Sequence, residues 1–283
     1  MVKDNRLMES VAPLTGEYAF EIWDQTSEPM EGDVIVPFAY EEWLCREIGK
    51  GSINPGVHIW RHRQGTVLGQ RDFRLPLAGA AMRELKDQGW SVAVRISGGA
   101  FVPLDEGVVN VSLLLPNPEG RMEHLADFQR MVQLLKDTLL VWGLPAEAGE
   151  IIGAYCPGEY DVAIRGRKFC GIAQRRQLRA SAVQAFINVE GSGERLAGIA
   201  QRFYETASGG SSELDYPKIE RAKTASLSEL AADSDMTVDA FVHGLKQRLI
   251  SLGGTVSAPP AAPESELQAL VMSLRERYAA EGE

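Results

Sequence analysis

Cysteine is scarce in this chain: three in 283 residues, at positions 45, 156 and 170. Three cysteines cannot supply a disulfide framework at this size, so the fold must rest on its core, and a reducing, cytoplasmic compartment is the expectation. The sequence also lacks any run of about 18 apolar residues, so no membrane-spanning helix is predicted. The opening stretch "MVKDNRLMESVAPLTGEYAFEIWDQ" lacks the apolar centre of a secretory leader. There is no G-x-x-x-x-G-K-S/T phosphate loop and no G-x-S-x-G nucleophile elbow. Histidines number four. His58 and His62 would share one face of a strand, but no carboxylate or thiolate stands at ligand spacing, so no metal site is expected. His124 and His243 are isolated. Basic residues are outnumbered, 29 against 39 acidic, giving a net charge of −10. Such a chain lacks the broad basic footprint that nucleic-acid binding needs.

What is present is a globular composition, with 45% hydrophobic residues, enough for a sizeable core. Apolar spacing predicts helices over "PFAYEEWLCREIG", "LPLAGAAMRELKDQG", "HLADFQRMVQLLKDTLLVWG" and "ERLAGIAQRFY". Period-two alternation predicts strands in "GVHIWRHRQGTVLGQR", split around Gln64-Gly65, in "SVAVRISGGAFVPLDEGVVNVSLLLP", and in "SAVQAFINVEG". After Gly209 the chain turns polar and Gly/Ser-rich. Beyond that, Ser226 and Glu229 have capping-box spacing, and two further helices are predicted. Strands follow one another through tight turns, which predicts an α+β fold with mixed, largely antiparallel sheets flanked by helices. Residues 1–220 read as one catalytic domain and 221–283 as a helical extension packed on it.

One stretch concentrates the chemistry: "GAYCPGEYDVAIRGRKFCGIAQRR", Gly153 to Arg176. Cys156 precedes Pro157-Gly158, which places its thiol on a turn. A nucleophilic thiol needs thiolate character, which a neighbouring Lys or Arg promotes. A hairpin turning at Gly166 would carry Lys168 back towards Cys156. Locally, two readings stay open: a thiol activated by Lys168, or an inert cysteine beside a solvated lysine. Cys170 and Cys45 read as packing residues. In "RISGGAFVPLDEG", the backbone N–H groups at Gly98 and Gly99 could approach an acyl carbonyl or a phosphate closely, and a plain glycine turn is the alternative. Between Arg165 and Arg179 lie six basic residues and no acidic ones. That run suits an acidic partner, or is merely a solvated hairpin.

Taken together, "RISGGAFVPLDEGVVNVSL" and "GEYDVAIRGRKFCGIAQRR" resemble the two motifs of the lipoate–protein ligase and lipoyl/octanoyl transferase family, with matching segments from Phe38 to Tyr204 in the family's order. Many members have a third glycine and a histidine in the first motif. Here those positions hold Ala100 and Leu104, which departs from the ATP-dependent ligases. The sequence is more similar to the amidotransferase branch, in which a cysteine ahead of the "GxYD" element forms an acyl thioester. The resemblance implies a biotin/lipoate protein ligase-like catalytic fold. It implies transfer of an octanoyl or lipoyl group from the lysine of glycine cleavage H protein to the lysine of E2 lipoyl domains of 2-oxoacid dehydrogenases, with no cofactor. Cys156 and Lys168 would be catalytic, and Arg95, Ser97, Gly98, Gly99, Gly171, Ile172 and Ala173 would bind substrate. N–H groups near Gly98–Gly99 or Gly171–Ile172 are expected to hold the oxyanion. Val94, Ile96, Val111 and Phe186 are the expected liners of an acyl tunnel. The alternatives within the family are an octanoyltransferase that draws on acyl carrier protein and an ATP-dependent lipoate ligase.

Overall fold

The structure, a computed structural model, describes residues 19–117, 124–231 and 235–279. The stretch read above for a leader therefore lies largely outside the described residues, as does the side chain of His124. The strands are β1 (Glu21–Met30), β2 (Gly56–His62), β3 (Gln64–Leu68), β4 (Ser91–Val94), β5 (Val102–Asp105), β6 (Val108–Pro116), β7 (Glu147–Ala148), β8 (Val162–Ile164), β9 (Arg167–Arg176), β10 (Ala180–Asn188) and β11 (Thr255–Val256). The helices are α1 (Ile35–Lys50), α2 (Gln70–Phe73), α3 (Ala78–Asp87), α4 (His124–Leu139), α5 (Gly193–Ala207), α6 (Leu227–Leu230), α7 (Val238–Ser251) and α8 (Glu264–Ala279).

A large sheet has the order β11-β1-β2-β6-β10-β9-β8-β7, and a small one the order β4-β3-β5. β1 runs parallel to β2 and β11, and β3 parallel to β4, while the remaining pairs are antiparallel. This is the mixed, largely antiparallel arrangement expected. The split within "GVHIWRHRQGTVLGQR" is not a hairpin, however. β2 and β3 part at Arg63 and join different sheets, with Gly65 packed so closely under Val34 that a Cβ would sit 2.5 Å from it.

Both faces of the large sheet are covered, so its central strands are buried on both sides. On β6, alternation sends Val109, Val111, Leu113 and Leu115 to an outer layer with α4, α6 and α7. Val108 and Leu114 point to an inner layer with α1, α3, α5 and the small sheet. This corrects the reading of Val111 as a tunnel liner: odd-numbered β6 residues face away from the inner layer. Between Val108 and Leu114 on the inner face stand Asn110 and Ser112, both buried. The chain after residue 220 packs on both layers. α7 closes the outer core, β11 extends the sheet edge, and α8 lies on α1.

Candidate active site

Cys156 lies in the inner layer, 7% exposed, on the turn before Pro157-Gly158. Its φ is +47°, left-handed backbone that a β-free residue would adopt more easily. Such a conformation persists only where surrounding contacts hold it, and Lys168 supplies those contacts. The predicted reversal is present: β8 and β9 form a hairpin whose two turn residues, Arg165 and Gly166, have φ of 52° and 70°. Positive φ at both positions is the pattern of the tight turn that matches strand twist.

The hairpin alone would send Lys168 the wrong way. Counting by twos from Gly171, which faces the inner layer against Phe186, Phe169 should face inward and Lys168 outward. A register shift between Val162 and Ala163 marks a bulge that inserts one residue on β9. Phe169 and Cys170 then both enter the outer core, and Lys168 turns inward. Bulges re-aim side chains in this way.

The Lys168 side chain is fully buried, and its ammonium makes two hydrogen bonds and one ion pair. Nζ lies 2.9 Å from Asp161 Oδ1. It donates to the carbonyl oxygens of Tyr155 at 2.9 Å and Cys156 at 2.5 Å. Burial pushes the Asp161 carboxyl up to about 6, against the opposing pull of Lys168. The lysine therefore fixes the strained cysteine turn through its backbone.

The thiol has other polar partners. Sγ accepts from the Ala100 N–H at 3.2 Å and from the Arg95 guanidinium at 3.4 Å. Arg95 is 5% exposed, its Nε has no hydrogen-bond partner among the described residues, and it also donates to the Ala100 carbonyl. Gly99, at φ +98°, allows this approach: a Cβ there would lie 2.3 Å from the Arg95 guanidinium and 3.1 Å from Sγ. The glycine-rich loop is pinned from behind. Phe101 N–H donates to the Tyr204 hydroxyl, which donates to buried Asp72, and Asp72 also receives the Gly69 N–H. Burial holds the Asp72 carboxyl above its usual range.

The structure thus brings Arg95, Gly99, Cys156, Lys168 and Gly171 together. A Cβ at Gly171 would meet the Phe186 ring at 2.5 Å and Lys168 Nζ at 3.2 Å, so glycine forms the floor beneath the ammonium. Gly98 has open space where a side chain would go. Ser97 and Ile96 line a neighbouring cavity with Phe38 and Gln184. Ala173 is buried, and the Ile172 side chain packs on the outer layer. Asp161, Tyr155 and the Ala100 N–H were not singled out from sequence. The aspartate of "GEYD" was the available signal, since a buried lysine needs a counter-ion.

A small cavity of about 20 Å³ lies between the sheets beside Arg95 and Phe186. Phe38, Trp60, Val67, Val102, Leu104, Asn110, Ser112 and Gln184 complete its wall. Of the expected liners, Phe186 is here and Ile96 next door. The basic run, by contrast, is largely spent within the chain. Arg165 and Arg167 donate to the Leu230 and Thr224 carbonyls, Arg175 pairs with Glu42 at 3.3 Å, and Lys168 is in the site. Among the described residues no helix is long and apolar enough to cross a membrane.

Similarity to known proteins extends over nearly the whole chain. An octanoyl-[GcvH]:protein N-octanoyltransferase of Anoxybacillus flavithermus is 37% identical over 257 residues, 89% of this chain and 91% of that protein. A lipoyl-[GcvH]:protein N-lipoyltransferase of Listeria monocytogenes is 34% identical, covering 82% and 83%. A lipoate-protein ligase A bound with ATP shares the fold at TM-score 0.68 and 18% identity, over 92% of this chain and 96% of that one. So does a bipartite lipoate protein ligase of Thermoplasma acidophilum, at TM-score 0.63 and 18% identity, over 93% and 94%. The family model of the lipoyl protein ligase A/B catalytic domain matches residues 33–250, and the chain belongs to that family.

Proposed function

We propose that the protein moves an octanoyl or lipoyl group from the lysine of glycine cleavage H protein to the lysine of E2 lipoyl domains, through a thioester on Cys156. The observation that carries this reading is the strained, buried Cys156 thiol, which receives two N–H donors, one of them from Arg95, a wall residue of the cavity between the sheets. Relatives named for transfer from GcvH support the donor. Exchanging one lysine amide for another leaves the number and type of bonds unchanged, so the barrier, not the equilibrium, is what the site must lower.

In the first step the Cys156 thiolate, held by Arg95, attacks the acyl carbonyl. The oxyanion forms where the Ala100 N–H and the Arg95 guanidinium point. The carbon–nitrogen bond breaks as Lys168 gives a proton to the departing lysine nitrogen. In the second step the neutral amine of the acceptor lysine attacks the thioester. Its surplus proton returns to Lys168 and the thiolate leaves. Splitting one difficult substitution into two easier ones is the gain from a covalent nucleophile.

The test is transfer between purified octanoylated H protein and an unmodified lipoyl domain. Product without ATP or acyl carrier protein is expected. Product only when ATP is added would replace this reading with that of a ligase.

A further inference from the structure

The cavity beside Arg95 is not lined by hydrocarbon alone. Across the inner face of the large sheet, paired residues form one row: Gly171, Phe186, Asn110, Trp60. Gly171 begins the row beneath the Lys168 ammonium. Phe186, Asn110 and Trp60 line the cavity together with Arg95, which touches the thiol. With neighbouring strands about 4.8 Å apart, Asn110 stands roughly 10 Å from Gly171. An extended eight-carbon acyl chain spans roughly 9 Å at standard carbon–carbon lengths. A chain that runs along this row from the Gly171 end brings its last carbons against Asn110 and Trp60.

Asn110 is 7% exposed, and its amide Nδ2 has no hydrogen-bond partner among the described residues. In the next row of the same wall, Gln184 donates its Nε2 to Glu41, while its Oε1 has no hydrogen-bond partner among the described residues. A saturated hydrocarbon tail offers the Asn110 N–H nothing, and a buried donor left unpaired costs free energy. A dithiolane ring at the same depth presents two sulfur atoms, polarisable and weakly accepting.

Building on the transfer reaction above, we propose that Asn110 is a subsite for the distal end of the acyl group and tunes the protein towards lipoyl over octanoyl chains. The experiment measures kcat/KM with lipoylated and octanoylated H protein for the wild type, Asn110→Leu and Asn110→Ala. The lipoyl-to-octanoyl ratio is expected to fall at least about fivefold in Asn110→Leu, as the donor is lost and an apolar surface takes its place. Asn110→Ala removes the donor without added bulk, so it decides the matter if the leucine variant does not fold. Turnover of both substrates with a ratio unchanged in the variants overturns the subsite. Should the wild type transfer neither group, the proposed reaction itself falls, and thermal shifts with free lipoate and octanoate decide the subsite separately. Stabilisation by lipoate that drops selectively in Asn110→Ala supports it, and an equal drop for both acids overturns it.

Discussion

Removing Lys168 tests two roles, the structural one its contacts give it and the proton transfer proposed for it, and the two can be separated. Lys168→Met strands the buried Asp161 carboxylate and releases the carbonyls of Tyr155 and Cys156. Breaking a buried ion pair by deleting one partner costs about 3–5 kcal/mol. For a chain of this length each kcal/mol lowers Tm by roughly 2–4 °C, so a loss of roughly 6–20 °C is expected. Asp161→Asn leaves the ammonium with its two carbonyl acceptors and should cost less. In the double variant neither charge remains unpaired, so its loss should be smaller than the sum of the single losses by about 1–3 kcal/mol. Calorimetric unfolding gives the stabilities, and the acylation rate from octanoylated H protein gives the chemistry. The double variant is expected to regain stability over Lys168→Met yet stay inactive, since no ammonium can protonate the leaving lysine. Additive losses would refute the ion-pair argument, and a double variant with near wild-type acylation would refute the proton transfer.

Two more outcomes follow from the same site. The Asp161 carboxyl, pushed from 3.8 up to about 6 by burial, binds its proton more tightly in the folded chain. Its contribution to stability is fully present below about pH 4 and is lost as pH rises through 6, by about 3 kcal/mol for a shift of this size; urea unfolding at pH 4.5 and 7 should show that slope in the wild type and not in Asp161→Asn. Arg95→Gln should slow alkylation of Cys156 by iodoacetamide at neutral pH by roughly tenfold or more, the worth of a hydrogen bond to a charged group, with partial rescue in Arg95→Lys; unchanged alkylation in Arg95→Gln would show that the guanidinium does not hold the thiolate.

The turn at Gly166 and the turn that carries Cys156 ahead of Pro157-Gly158 were legible in the sequence because both are local features, set by residues that prefer those conformations; the left-handed backbone of Cys156 was not. The route by which Lys168 reaches the site was not legible. It depends on one extra residue in the β8–β9 pairing, and a register exists only between strands. The same limit misplaced Val111, whose face depends on which layer lies on which side of β6. Arg95 was visible as a motif residue, but its approach to the thiol runs through Gly99 and a loop with no regular structure. The basic run misled for a different reason. Charge in sequence cannot tell a solvated arginine from one that caps the carbonyls of Thr224 or Leu230.

The central claim is that the acyl group rests on the Cys156 sulfur between donor and acceptor. Incubation with octanoylated H protein alone, followed by acid quench and intact-mass analysis with peptide mapping, addresses it directly. The account predicts one octanoyl adduct per chain, mapped to Cys156, labile to hydroxylamine, absent in Cys156→Ser, and discharged when an unmodified lipoyl domain is added. Transfer that proceeds at the wild-type rate in Cys156→Ser, with no adduct on the chain, would contradict it.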